Sequence, residues 1–240
     1  MKLHQTLSQT MSKVESMSKI RRSTSINDFS VTRGSDPDAS LRFSGHAAVF
    51  DQPTLIGSVR WGFVEWIERG AFTDTLDDDV RFLINHDGIP LARTKNGTLT
   101  LKEDKIGLVA RADLAPVSLS RDLATLIERG DITQMSFAFA TGEERVGLIN
   151  LKERSKDNLP DGISDDWDGL PFRAVTKMAR LYDVSPVTYP AYEGTDAEMV
   201  TKSEVRSFLE SFSGTETTSK YSAIQRAATL RTINIAGYKA

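Results

Sequence analysis

The sequence predicts a β-rich α+β fold, and three observations carry that expectation. Runs of β-branched and aromatic residues recur from Leu41 onward. Two of them, Thr98–Lys102 and Gly107–Leu114, alternate apolar and polar side chains across a turn at Glu103–Ile106, which is the pattern of a hairpin. One helical repeat, with Leu119, Leu123, Leu126 and Ile127 on a single face, interrupts the strands. At 240 residues, 39% of them apolar, the chain is long enough to bury a core.

The elements follow in chain order. Residues 1–40 read as a flexible extension, because they hold nine serines and six Lys or Arg with weak apolar periodicity. Around Lys19, Arg21 and Arg22 the extension is locally basic and suits an acidic partner. Residues 41–200 read as one folded domain. Leu41–Phe50, Val59–Ile67 and Val80–His86 have strand texture, and Asp77-Asp78-Asp79 reads as a solvated acidic turn. Ser120 is placed to cap a helix over Arg121–Arg129, with Gly130 at its C-terminal end. Ile132–Ala140 resumes period two. The polar stretch 152–171, with Pro160, Gly162, Gly169 and Pro171, reads as a long surface loop or flap. Phe172–Tyr189 returns to strand, with a bulge or edge suggested by Pro186. Residues 201–240 read as a helix over Ser203–Phe212 followed by a flexible tail.

Composition removes several function classes. Thirty basic against 33 acidic residues leave a net charge of −3, which gives no general electrostatic reason to bind nucleic acid or a membrane surface. The chain has no cysteine, so disulfides, thiol nucleophiles and Cys-ligated zinc are all excluded, and a reducing compartment fits. No run approaches the length of a membrane span, and Lys2 is not followed by the apolar core of a secretory signal. There is no Gly-rich phosphate loop, no His-Glu-x-x-His and no calcium loop.

The more unusual feature is a strand serine, which alone could equally be a packing residue. In the strand Ile132–Ala140, Met135, Phe137 and Phe139 share one face, while Ser136, Ala138 and Ala140 share the other. The first face is core-like, and the second leaves room for another body. A serine hydroxyl becomes a nucleophile only with a base in hydrogen-bond reach. The histidines are His4 in the extension, His46 inside a strand and His86 at a strand end beside a glycine-containing loop, and His86 is the best placed. A third group usually orients the imidazole. The candidate acids on strands are Glu65, Glu68 and Asp183.

Six segments, in order, resemble the prohead serine proteases of tailed bacteriophages, capsid-maturation enzymes related to the herpesvirus assemblins. They are Phe43-Ser44-Gly45-His46-Ala47-Ala48-Val49-Phe50, Val64–Phe72 with its Gly70-Ala71-Phe72, Leu83-Ile84-Asn85-His86-Asp87, Gly107-Leu108, Ile127-Glu128-Arg129-Gly130-Asp131-Ile132 leading into Met135-Ser136-Phe137-Ala138-Phe139, and Leu181–Tyr192. The resemblance spans about residues 41–195. It implies an assemblin-like closed β-barrel flanked by helices, with no metal or organic cofactor. It implies Ser136 as nucleophile and His86 as base. Herpesvirus relatives carry a second histidine at the third position and the phage proteins an acid; this chain has Asp183, with no histidine after His86. Glu65 is the competitor for that place. The loop 190–195 is a candidate source of oxyanion-hole donors, and an extended peptide would lie beside the small face of the Ser136 strand.

The implied function is a serine endopeptidase that cuts scaffold and major capsid protein, and itself, inside the assembling procapsid in the host cytoplasm. Self-association is a further implied partner; nucleic acid and membrane are not. The alternative is a non-catalytic capsid-assembly or scaffold component with the same fold around a disarmed site. An esterase is a weaker rival, since no Gly-x-Ser-x-Gly elbow is present.

Overall fold

A computed structural model describes residues 19–24, 30–32, 41–155, 158–189 and 205–208 of the chain. These residues fall into two compact units. The first is drawn from Met1–Phe50, Ile67–Glu144 and Val175–Ala191, the second from Asp51–Trp66, Arg145–Ala174 and Tyr192–Ala240. In chain order the strands are β1 (Ile20–Thr24), β2 (Ser30–Thr32), β3 (Arg42–Val49), β4 (Thr54–Ile56), β5 (Phe63–Ile67), β6 (Arg81–Ile84), β7 (Asp87–Arg93), β8 (Leu99–Glu103), β9 (Gly107–Asp113), β10 (Gln134–Leu148) and β11 (Pro171–Val187). The helix α1 spans Ser118–Arg129. Of the described residues 49% are in strands and 18% in helices, so the described structure is β-rich.

The closed barrel implied by the resemblance is not formed. The described strands make two open sheets, one of seven strands and one of four. Closure requires every strand to have a hydrogen-bonded neighbour on both sides. Among the described strands of the first unit, β2, β8, β1 and β7 each have one: the small sheet runs β2-β3-β9-β8, β1 pairs only with β10, and β7 pairs only with β6.

Packing in the first unit follows the period-two pattern of its strands. Met135, Phe137 and Phe139 point into the core, where Phe72 meets Phe137 at 5.5 Å between centroids and Phe43 meets Phe82 at 4.8 Å. Burying a side chain of this kind contributes about 1.5–3 kcal/mol. Gly107 opens β9 because a Cβ there would sit 1.9 Å from the Ala48 carbonyl oxygen, beside an irregularity in the β3–β9 ladder.

Several elements differ from expectation. The helix starts at Ser118 with Val117 at its N-cap, so Ser120 lies in the first turn, buried, with no hydrogen-bond partner for its Oγ among the described residues. Leu123 and Ala124 are buried side chains of α1, whereas Leu119 and Leu126 are exposed. Gly130 does end the helix, at φ 82°. Residues 20–24 and 30–32, within the stretch read as an extension, are strands paired with β10 and β3. The acidic turn is tied down as well as wetted. Asp79 accepts two hydrogen bonds from Arg93, which hold its carboxyl down to about 2, and Asp78 Oδ2 accepts from the Leu181 N–H.

In the second unit β4 pairs with β5 in antiparallel fashion. Val64, Trp66, Ile149, Ile163, Leu170, Phe172 and Ala174 form its main cluster. Ile163 and Leu170 belong to the stretch 152–171, so that stretch is anchored rather than a free flap. The strand expected over Val59–Ile67 begins only at Phe63, because a turn closes from the Gly62 N–H onto the Ser58 carbonyl. Of the helix expected over Ser203–Phe212, residues 205–208 are helical and the rest lies outside the described residues.

Candidate active site

The structure brings Ser136, His86 and Asp183 together, all from the first unit. Ser136 sits in β10 with its side chain on the small face, fully buried. Asp183 sits in β11, which runs parallel to β6 with Asp183 opposite Arg81. His86 does not end a strand that runs on into a loop. It is the second residue of a two-residue hairpin turn between β6 and β7, closed by the Ile84–Asp87 pair. Asn85 and His86 have φ of 53° and 61°, and two positive values mark a type I′ turn. Asparagine suits the first position; a histidine at the second takes the place that glycine usually holds.

The turn is held from β11. The Asn85 N–H donates to the Pro186 carbonyl at 3.0 Å. The Asn85 side chain accepts from the Thr188 N–H at 2.8 Å and donates to Thr188 Oγ1 at 3.2 Å. Left-handed backbone costs a non-glycine residue about 1–2 kcal/mol. We therefore expect His86→Gly to be more stable than His86→Ala by about 1 kcal/mol in urea unfolding, although both lack the imidazole. Equal stabilities would show that the turn carries no such strain.

The geometry is a continuous line of hydrogen bonds. His86 Nδ1 lies 2.5 Å from Asp183 Oδ1, and His86 Nε2 lies 2.6 Å from Ser136 Oγ. Asp183 also accepts from Ser185 Oγ at 3.1 Å and from Lys19 Nζ at 2.8 Å. Burial works to raise the Asp183 carboxyl pKa, but the hydrogen bonds and charges of His86 and Lys19 outweigh it and hold it below its ordinary value. Asp183 is thus a buried carboxylate with partners on both oxygens. An ionised carboxylate only accepts, so Nδ1 carries a proton toward it and Nε2 is free to receive one from Ser136.

A family model described as caudovirus prohead serine protease matches residues 29–210. The chain belongs to that prohead protease family. No curated protein and no solved structure matched the chain. Family membership supports a serine protease that acts in the phage procapsid on capsid proteins in general. No helix among the described residues is long and apolar enough to cross a membrane.

The other candidates lie elsewhere. Glu65, the competing acid, is buried in the second unit, where Arg173 Nε donates to it at 2.6 Å. Residues 190–195, the candidate oxyanion loop, lie outside the described residues, as does His4. His46 is in β3, with Nε2 at 3.0 Å from Asp104 Oδ2. Asp104 in turn accepts from the Ile106 and Gly107 N–H groups and so closes the β8–β9 turn. His46→Ala should lower the melting temperature of the chain yet leave turnover per folded molecule within about twofold. A complete loss of turnover in a folded His46→Ala chain would move His46 into the chemistry.

Sequence reasoning missed four residues around the triad. Ser185 shares the face of Asp183 at a spacing of two, and that spacing was the available signal. Asn85 could have been found as the first residue of a type I′ turn. Lys19 and Arg22 stood out only as part of a basic patch.

Proposed function

We propose that the chain is a serine endopeptidase that cleaves scaffold and major capsid protein, and itself, within the assembling procapsid. The observation that carries the reading is the unbroken line from Asp183 through His86 to Ser136. In the reaction His86 takes the Ser136 proton as Oγ attacks the scissile carbonyl carbon, forming a tetrahedral oxyanion and a positively charged imidazole. Asp183 holds the Nδ1–H tautomer and stabilises that charge. His86 then passes its proton to the leaving amine as the C–N bond breaks, which leaves the acyl ester on Ser136 Oγ. A water molecule repeats the attack on the ester, and the serine is restored. Backbone N–H donors to the oxyanion are required for such a step, each supplying a factor of about 10²–10³.

Co-expression with the phage capsid and scaffold proteins, followed by intact-mass measurement, tests the reading. We expect shortened capsid or scaffold chains, and shortened protease whose cuts fall outside residues 41–200. The Ser136→Ala chain should stay at full length in the same cells. Identical truncation of both chains would assign the trimming to host proteases and remove self-cleavage from the proposal. Uncut capsid and scaffold proteins in the presence of folded wild-type chain would refute the assigned substrates.

A further inference from the structure

Besides the acid of the triad, β11 carries a second polar group on the same face. Alternate side chains of a strand point the same way, so Asp183 and Ser185 stand side by side. Both are buried, Ser185 completely, in a stretch whose Leu181, Val184 and Val187 are buried apolar residues. Two residues of strand advance the chain by about 6.6 Å, so side chains at this spacing meet only where both lean along the strand. Here they meet: Ser185 Oγ lies 3.1 Å from Asp183 Oδ1. The ionised carboxylate has no proton to give, so the hydroxyl is the donor.

The oxygen that Ser185 reaches is the one His86 uses. Nδ1 of His86 lies 2.5 Å from Oδ1, whereas Lys19 Nζ takes the other oxygen, Oδ2, at 2.8 Å. A hydrogen bond to the charged carboxylate stabilises that charge and leaves less of it for the imidazolium. The bond also leans Asp183 towards the C-terminal end of β11, where the Pro186 carbonyl and Thr188 hold the histidine turn. The remaining charges near the pair have their own places. Arg81, opposite Asp183 in register, binds Asp79; Arg22 donates to the Arg21 carbonyl; Asp87, next to His86, is exposed. A change confined to the Ser185 hydroxyl leaves all of them in the chain.

We propose that Ser185 is a positioning residue of the catalytic line: its hydroxyl holds Asp183 Oδ1 against His86 Nδ1 and shares the charge of that oxygen, which sets the pH at which His86 becomes free to take the Ser136 proton. The inference rests on the protease reading, with Ser136 as nucleophile and His86 as base. It makes one strand end the organiser of the site. Within six residues β11 and its exit supply the acid, the hydroxyl that aims it, and the anchors of the turn that carries the base.

The test uses the full chain and a fluorophosphonate probe, with the rate of modification of Ser136 read by peptide mass mapping across a range of pH. The rate falls on the acid side as His86 takes up a proton. Ser185→Ala removes one oxygen and leaves little cavity. Without the hydroxyl, Oδ1 keeps its full charge for the imidazolium, so the acid limb should move to higher pH by about half a unit. The plateau rate should fall a few-fold, because the acid is no longer aimed. Ser185→Thr keeps a hydroxyl and should restore the wild-type limb. Ser185→Cys, whose thiol is a weak donor, replaces the alanine chain if that chain is unfolded by circular dichroism, and should move the limb the same way by less. A limb at the wild-type pH or below it in the folded variants would overturn the proposal even with a lower plateau, since lost packing slows the reaction without moving the limb. A Ser185→Thr chain that shares the alanine limb would overturn it too. Failure of the wild-type chain to label at Ser136 would instead overturn the protease reading beneath it.

Discussion

Ser136→Ala will abolish cleavage and fluorophosphonate labelling while the protein stays folded. The expected loss of turnover is about 10⁶-fold, roughly 8 kcal/mol of transition-state stabilisation, because removal of a serine nucleophile leaves only what binding and oxyanion donors supply. The cost to the fold is far smaller. Ser136 is fully buried on the small face, next to Ala138 and Ala140, so alanine fits the strand and leaves a space of one oxygen atom. Ser136 Oγ lies within reach of the Arg22 carbonyl and of His86 Nε2, and the acceptor that takes its one proton loses its donor, which costs about 1 kcal/mol. Circular dichroism and a melting temperature within a few degrees of wild type check the fold. A purified, folded Ser136→Ala chain that still cuts capsid protein at the wild-type rate would show that the nucleophile is another group.

The parts of the site that could be read in the sequence are those fixed by strand periodicity. Met135, Phe137 and Phe139 alternate with Ser136 and Ala138, and the structure keeps that alternation, with the aromatic face in the core. Asp183 was legible as an acid among apolar neighbours, since a carboxylate on such a strand needs partners if it is buried. His86 was legible as a candidate but its setting was not. Gly88 and Pro90 follow it and disguise β7 as loop, although proline is tolerated there because β7 is an edge strand. The turn itself lacks the Asn-Gly pair that announces a type I′ hairpin.

Tertiary pairing decided what periodicity could not. Ile20–Thr24 is serine-flanked and basic, and nothing in its local preferences demands a strand; it is ordered by the ladder to β10 and by Lys19 on Asp183. The barrel depended on a count of neighbours for each strand, and no local pattern reports whether an edge finds a second partner. Ser120 shows the same limit on a small scale. Its type suits an N-cap, but the helix begins two residues earlier, and the serine turns into the core.

Asp183→Asn will lower turnover by about 10⁴-fold without unfolding the chain. Asparagine keeps the shape of aspartate, and its amide can donate to His86 Nδ1, which the carboxylate cannot. That stabilises the tautomer with the proton on Nε2, so the imidazole faces Ser136 as a donor and cannot take the hydroxyl proton; in triads of the chymotrypsin type the same exchange costs about 10⁴ in kcat. The wild-type carboxylate contributes through its ionised form, stabilised by His86 and Lys19 against the opposing effect of burial. Its pKa in the folded protein lies below the ordinary 3.8, so its stabilisation is fully present above that pH and is lost as the pH falls through the lower folded value. Asparagine has no proton to gain. Wild type should therefore exceed Asp183→Asn in urea resistance at pH 7, and the two should converge as the pH is taken down towards 2. Turnover within twofold of wild type would remove Asp183 from the catalytic line. A stability gap that stays constant from pH 7 down to pH 2 would show that the carboxylate charge is not what holds His86 and Lys19 in place.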